Sequence, residues 1–273
     1  MSNPILSNTT LTIGDHLRDW RQRRRMSQMD LALEADISTR HLSFLETGRS
    51  QPSREMVLHL ADRLDIPLRE RNILLVAAGY APVYSQRPLD DPALQAARQA
   101  IDLVLKGHEP YPALAVDRHW SLVAANGALM PLVGAVDPVL LKPPVNVLRL
   151  SLHPGGLAPR IANFSEWRDH ILARLHHQVE MTADAVLMKL MDELRAYPAP
   201  AGTSRTPHPR QDYAGVLVPL RLRSEEGELT LFSTTTVFGT PVDVTLSELA
   251  IEAFFPADPE TAAILRKSAE AGL

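Results

Sequence analysis

The chain has 273 residues and no cysteine. That excludes a disulfide framework, thiolate zinc sites and a cysteine nucleophile. No apolar run approaches the ~18 residues that mark a membrane helix. The start, MSNPILSNTTLTIGD, has neither a basic leader region nor an apolar stretch behind it, so no secretory signal is read there. The default expectation is a soluble cytoplasmic protein with no membrane partner. Catalytic signatures are missing as well: there is no G-x-S-x-G, no G-x-x-x-x-G-K-S/T, no G-x-G-x-x-G and no H-E-x-x-H. Each of those patterns serves a specific chemistry, a nucleophile elbow, a phosphate cradle or a zinc site. An enzyme, a cofactor and a metal site are therefore not expected. His170, His176 and His177 share one helix and read as surface or satisfied core residues, and His153-Pro154-Gly155-Gly156 reads as a helix end.

What is present is apolar residues, at 45%, enough to bury sizeable cores and to argue against global disorder. The length allows two domains. The formal net charge of −4 hides an asymmetry: residues 1–80 carry 11 basic and 10 acidic residues, residues 81–273 carry 17 and 22. Within the first part, RDWRQRRR at 18–25 holds five arginines and one acid. Such a run is either a solvated helix face or a phosphate-contacting surface.

After a polar arm over residues 1–10, five helices are expected. The first starts near Ile13. Ser27 caps a second over Gln28–Ala35, and Ser38 caps a third over Thr39–Thr47. Ser53 starts a fourth that ends near Leu64, and a fifth runs from Leu68 to Ala78. Gly48 suits a left-handed C-terminal cap, while Gly79 and Pro82 stop the fifth helix. The second and third helices are of helix-turn-helix size, joined at Asp36-Ile37. Ile37, Leu42 and Leu45 face inward, which leaves Thr39, Arg40, His41, Ser43 and Phe44 on or beside the outer face. Arginine can hold guanine bidentately, threonine offers a hydroxyl and a methyl, and Phe44 can pack on a thymine methyl. Gln28 and Ser38 stand at helix starts, where backbone N–H groups favour phosphate. With His41, Ser43 and Arg49 they make the candidate phosphate contacts. A plain five-helix bundle would account for the spacing alone, but the basic run, the polar outer face and the caps point together to DNA reading.

The stretch MSQMDLALEADISTRHLSFLETGRSQPS, with the arginines before it, resembles the Xre-type helix-turn-helix family over residues 12–66. The resemblance implies an all-α, lambda-repressor-like DNA-binding domain. It also implies a structural ion pair between Arg21 and Glu46, and base reading chiefly by Thr39, Arg40 and Phe44. Asp36 stands where glycine is common in the family, so the turn needs aspartate in a left-handed conformation.

VYSQRPLDDP reads as a linker, giving boundaries of 1–80, 81–92 and 93–273. Beyond it come a helix over 93–105, two short strands, a helix broken at 154–156, a long helix opening at Asn163 and Glu166 in capping-box spacing, and a further helix over 182–196. A Pro-rich loop over 197–212 follows. Three strands in GVLVPLRLR, GELTLFSTTT and VFGTPVDVT should form a meander, and SELAIEAFF and PETAAILRKSAEA should close the chain as helices. This is an α+β pattern with a small antiparallel sheet. Trp120, Phe164, Trp167 and Phe232 supply large apolar walls, and Arg149 and His153 are candidate polar anchors. The residues leave a ligand cavity and an ordinary core equally open.

Three stretches, PALAVDRHWSLVAANGALMPLVG, NVLRLSLHPGGLAPRIANFSEWRDHILARL and FSTTTVFGTPVDVTLSELAIEAFFPAD, resemble the MmyB-like ligand-binding domain, which follows an Xre-type module in bacterial regulators. The resemblance implies a PAS-like fold and a small hydrophobic, fatty-acid-like ligand. The expected partners are double-stranded operator DNA, that apolar ligand and a second copy of the chain, since one recognition helix reads too few base pairs. The alternative is a DNA-binding factor whose second domain is a protein-interaction module without a ligand.

Overall fold

The computed structural model describes residues 11–201, 218–239, 241 and 243–271. The expected N-terminal arm and most of the expected Pro-rich loop lie outside these residues. The chain forms two compact units. One ends at Gln86 and takes in Asp243 and Val244; the other begins at Arg87.

The first unit holds α1 (Ile13–Arg23), α2 (Gln28–Glu34), α3 (Thr39–Glu46), α4 (Arg54–Arg63) and α5 (Leu68–Ala77). Four starts are capped by side chains: Thr12, Ser27, Ser38 and Ser53 each accept the backbone N–H three residues on. Each such cap is worth about 1 kcal/mol. The five helices end alike. Arg25, Asp36, Gly48, Asp65 and Gly79 all have positive φ. The residue after each donates its N–H back to a carbonyl five residues earlier, as in Ile37 to Ala32 and Arg49 to Phe44. This double closure satisfies carbonyls that a helix end otherwise leaves open. Asp36 adopts φ 52° at the helix-turn-helix corner, the left-handed conformation that its place in the turn requires. Residues 83 and 84, within the stretch expected as linker, donate their N–H groups to the Asn72 side chain at 3.0 and 3.1 Å.

Leu17, Leu31, Leu42, Leu45, Leu60 and Leu74 are fully buried between these helices. Each contributes about 1.5–3 kcal/mol relative to exposure. α1 and α3 approach most closely at Gly14, where an added Cβ would lie 2.6 Å from the Glu46 carbonyl oxygen and 2.7 Å from that of Leu45. Those atoms are backbone and cannot turn aside. Gly14→Ala should therefore cost about 1–3 kcal/mol, by overpacking, which urea unfolding of the full chain would measure. A loss no larger than the few tenths typical of an exposed site would show that the helices separate without penalty.

The second unit contains α6 (Gln95–Gly107), β1 (Ala113–Val116), β2 (Leu122–Ala125), α7 (Met130–Val133), α8 (Val147–Leu152), α9 (Phe164–Thr182), α10 (Ala185–Ala196), β3 (Leu220–Ser224), β4 (Gly227–Val237), α11 (Val244–Ser247), β5 (Ala250–Pro256) and α12 (Pro259–Ala271). The five strands form one antiparallel sheet in the order β2-β1-β5-β4-β3. α8, α9 and α10 lie over one face of the sheet. There Leu114, Val116, Leu229 and Leu231 meet Leu152, Trp167, Ile171 and Leu175. The opposite face packs Ala113, Ala115 and Ile251 on Ile101 and Leu105 of α6. The expected α+β architecture with a small antiparallel sheet thus holds.

Three local expectations change. Residues 250–255, expected within a helix, lie in the central strand β5. AIEAFF offers only Glu252 as a charged residue to a surface helix, and between β1 and β4 its backbone finds ladder partners on both sides. Among the described residues VFGTPVDVT supplies no third meander strand: β4 extends through Val237 and pairs with β5 instead. The Asn163 side chain accepts no backbone N–H of α9, and it meets Glu166 only by donating its NH2 to Oε2 at 3.1 Å. Its amide oxygen accepts the Arg221 N–H at 3.1 Å and its NH2 donates to the Pro219 carbonyl at 2.8 Å, which ties the start of α9 to β3.

Candidate DNA-reading surface and ligand cavity

In the first unit the turn at Asp36 sets α3 against α1 and α2. Leu42 and Leu45 face inward and are fully buried, while Ser38, Thr39, Arg40 and Arg49 are exposed. His41, Ser43 and Phe44 are half-buried at the edge of that face. The Arg40 and Arg49 guanidinium groups lie 5.3 and 5.7 Å from the centre of the Phe44 ring. The ring holds both cations near the exposed face through its quadrupole. The Ser38 hydroxyl accepts the His41 N–H at 3.1 Å, so its own O–H remains a donor.

Beneath this surface Arg21 meets Glu46. Its Nε donates to Oε1 at 2.7 Å and Nη2 to Oε2 at 2.9 Å, and Nη1 donates to the Met26 carbonyl at 2.9 Å. Gln28 turns inward too, its amide donating to Glu46 Oε2 at 2.7 Å. Its side chain is thus committed, and what remains for a phosphate is its backbone N–H at the start of α2. Burial alone would raise the Glu46 pKa. Hydrogen bonds from Arg21 and Gln28, with the charges of Arg21 and Arg18, outweigh burial and hold it below the ordinary carboxylate value.

The basic run divides by contact. Arg21 serves Glu46. Arg24 donates to the Leu64 and Asp65 carbonyls at 2.8 and 2.9 Å, closing the end of α4. Arg23 pairs with Asp19 four residues earlier, and Arg18 donates to the Glu46 carbonyl at 2.9 Å. Three of the five arginines, Arg18, Arg21 and Arg24, thus bond carbonyls at helix ends, while Arg23 and Arg25 remain exposed.

In the second unit an apolar cavity lies between the sheet and the helices over it. Its walls include Leu114, Trp120, Leu132, Leu148, Trp167, Ile171 and Leu231, and its few polar members are Ser151, Arg174, Ser233 and Glu252. Trp120 is placed by the β1–β2 turn. The Asp117 side chain accepts the His119 and Ser121 N–H groups at 2.8 Å, and Trp120 takes φ 65°. That conformation costs a non-glycine residue of order 1–3 kcal/mol. The indole N–H donates to Gln178 Oε1 at 2.8 Å, which holds the ring in the wall. The Trp167 indole donates to Ser151 Oγ at 2.9 Å.

The polar end is built by register. Leu114, Glu252 and Thr235 stand abreast on β1, β5 and β4. Glu252 is 3% exposed. Arg174, from α9, donates to Glu252 Oε1 at 2.5 Å and Oε2 at 3.0 Å and to Thr235 Oγ1 at 2.7 Å. Its guanidinium stacks 4.7 Å from the Trp120 ring. A charge in the central strand is tolerable because it is both paired and hydrogen-bonded. Of the five guanidinium N–H groups, those bonds engage three.

Of the six residues expected to bind ligand, Trp120 and Trp167 line this cavity; Arg149, His153, Phe164 and Phe232 do not. Phe232 lies between Leu231 and Ser233, so strand alternation turns it to the other face, where it stacks on Phe255 at 5.3 Å. Arg149 is taken by Glu193 at 2.7 and 2.8 Å. His153 accepts the Gly155 N–H at 2.9 Å through Nδ1 and packs edge-on against Tyr197. Phe164 is ordinary core, 1% exposed. Arg174 and Glu252 were not anticipated. The available signal was a cation at helical spacing from Trp167 and Ile171, inside an otherwise apolar face.

Among the described residues no helix is long and apolar enough to cross a membrane. Comparison with known proteins gives two family matches: a helix-turn-helix domain at residues 12–74 and the MmyB-like transcription regulator ligand binding domain at residues 97–267. Both are binding domains of regulators, and neither is an enzyme family. No curated protein matches. Among solved structures, the chain is similar to one described as an RNA-binding light-oxygen-voltage receptor, at 14% identity and a TM-score of 0.28. The alignment covers 96% of this chain and 64% of the receptor chain, so it spans less than two thirds of that protein, and a likeness so slight does not bear on the fold. The match at 97–267 alone takes in more than half of the sequence, follows a helix-turn-helix unit and encloses the apolar cavity: the chain belongs to the MmyB-like transcription regulators.

Proposed function

We propose that this regulator is a one-component switch of the Xre type in the cytoplasm. Two copies bind a palindromic operator through α3, and a small hydrophobic, fatty-acid-like molecule in the second unit sets operator affinity. The observation that carries the ligand reading is the cavity: apolar on nearly every wall, with the Arg174–Glu252 pair at one place to orient a polar end. Sites of this kind combine apolar lining with a few placed polar groups. For DNA, the exposure of Thr39 and Arg40 on α3 and the position of Phe44 between two arginines support base reading by these three. Gln28, Ser38, His41, Ser43 and Arg49 then serve phosphates.

Operator binding at fixed salt tests both halves. Arg40→Ala should lose about 1–3 kcal/mol of discrimination at one base pair. Arg49→Ala should weaken all sequences alike and lower the salt slope by about one. If both variants bind like the parent, α3 is not the reading helix. Native mass spectrometry of the purified protein should show a bound amphiphile, and adding that amphiphile should shift operator affinity. A bound protein and no lipid would favour the interaction-module reading. Ligand occupancy that leaves operator affinity unchanged would exclude the switch.

A further inference from the structure

The inner cavity has about 100 Å³ of open space, below the ~300 Å³ at which small-molecule sites begin. A long aliphatic chain needs more. A second hollow of about 420 Å³ lies in the same unit, walled by Gly127, Ala128, Pro131, Leu265 and Ala269. Among the described residues, Leu132 is the one side chain common to both walls.

Leu132 is 9% exposed and sits on the four-residue helix α7. Its backbone is anchored: Arg160 donates to the Leu132 carbonyl at 2.7 Å and to the Arg223 carbonyl of β3 at 3.0 Å. Its side chain is held by apolar contact alone, and an isobutyl group moves between staggered wells without moving that backbone. The side chain that both hollows share is thus a turnable one on a fixed frame. The small residues of the outer hollow suit a slim, unbranched chain. Its rim also carries Glu109, whose carboxylate accepts the Gly127 N–H at 3.1 Å. A second carboxylate there would be repelled, so the chain's methyl end, not its acid head, belongs on that side.

On the reading that the inner cavity takes an apolar chain, we propose that Leu132 divides one longer chain-binding channel and that its side chain sets the chain length accepted. The head would stay at Arg174 and the tail would pass Leu132 into the outer hollow.

The test is calorimetric titration of the full chain with straight-chain fatty acids from hexanoate to palmitate. Each methylene that finds room should tighten binding about fourfold. Leu132→Ala should move the best-bound length upward, and Leu132→Trp should move it downward. Ala269→Trp, which adds bulk to the wall of the outer hollow, should cancel the long-chain gain of Leu132→Ala. The proposal is overturned if short chains bind all variants but the preferred length never moves. If no fatty acid binds the parent at any length, the fatty-acid reading of the cavity itself fails, a result distinct from an unmoved length preference.

Discussion

Glu46→Ala should destabilise the DNA-binding unit by about 3–5 kcal/mol, the usual result of removing one partner of a buried ion pair. Arg21 would be left 9% exposed with no counter-charge, and the Gln28 amide would lose the acceptor it now reaches at 2.7 Å. A small domain has only about 5–15 kcal/mol in total, so operator binding should fail at temperatures where the second unit is still folded. Hydrogen exchange of α1 and α3 amides would show it, with faster exchange there and none in the sheet. A cost below about 1 kcal/mol, the range of exposed pairs, would mean that the pair is solvent-screened. Acid gives an independent reading of the same group. The folded pKa of Glu46 lies below its ordinary value, so the charged carboxylate stabilises the fold. That stability is fully present above the unfolded value of about 4.3 and is lost as pH falls through the lower folded value. Glu46→Gln should lack this acid-labile step.

The second large effect is expected at Arg174→Ala, about 2–4 kcal/mol. The figure is set below the full cost of breaking a buried pair because the Arg174 side chain is 30% exposed. The variant leaves Glu252 charged in the central strand and removes the cation from the Trp120 ring. Arg174→Met with Glu252→Gln should recover at least half of the loss, since the charge is gone and Thr235 can still hydrogen-bond the amide. Thermal unfolding of the single and double variants would measure this coupling. If the single variant melts with the parent, Glu252 finds another partner and the polar end is not built as described. Amphiphile binding should fall in both variants, because neither retains the guanidinium.

The first unit was legible almost to the residue because its signals are local. Ser27, Ser38 and Ser53 announce helix starts by bonding a backbone group three residues away. Apolar spacing around Leu42 and Leu45 decides which face of α3 remains outside. The exceptions were helix ends. Arg25 and Asp65 close helices in the left-handed conformation as Gly48 and Gly79 do, but an arginine in a basic run carries no such signal. How the basic run divides was not legible, because Arg24 caps carbonyls at the end of α4, some forty residues away.

In the second unit AIEAFF was read as part of a closing helix, yet it lies at the centre of the sheet. That error also hid the polar end of the cavity, since Glu252 acquires its place only from pairing beside Leu114 and Thr235. By itself the sequence determined the five helices, the turn at Asp36, the outward face of α3 and the family of both domains, since each rests on contacts within a few turns. Only the tertiary structure decided that Phe232 faces away from the cavity while Arg174 faces into it, that Gln28 is bound to Glu46, and that Leu132 stands between two hollows. Those outcomes depend on strand register and on the close approach of elements distant in the chain, which no local pattern records.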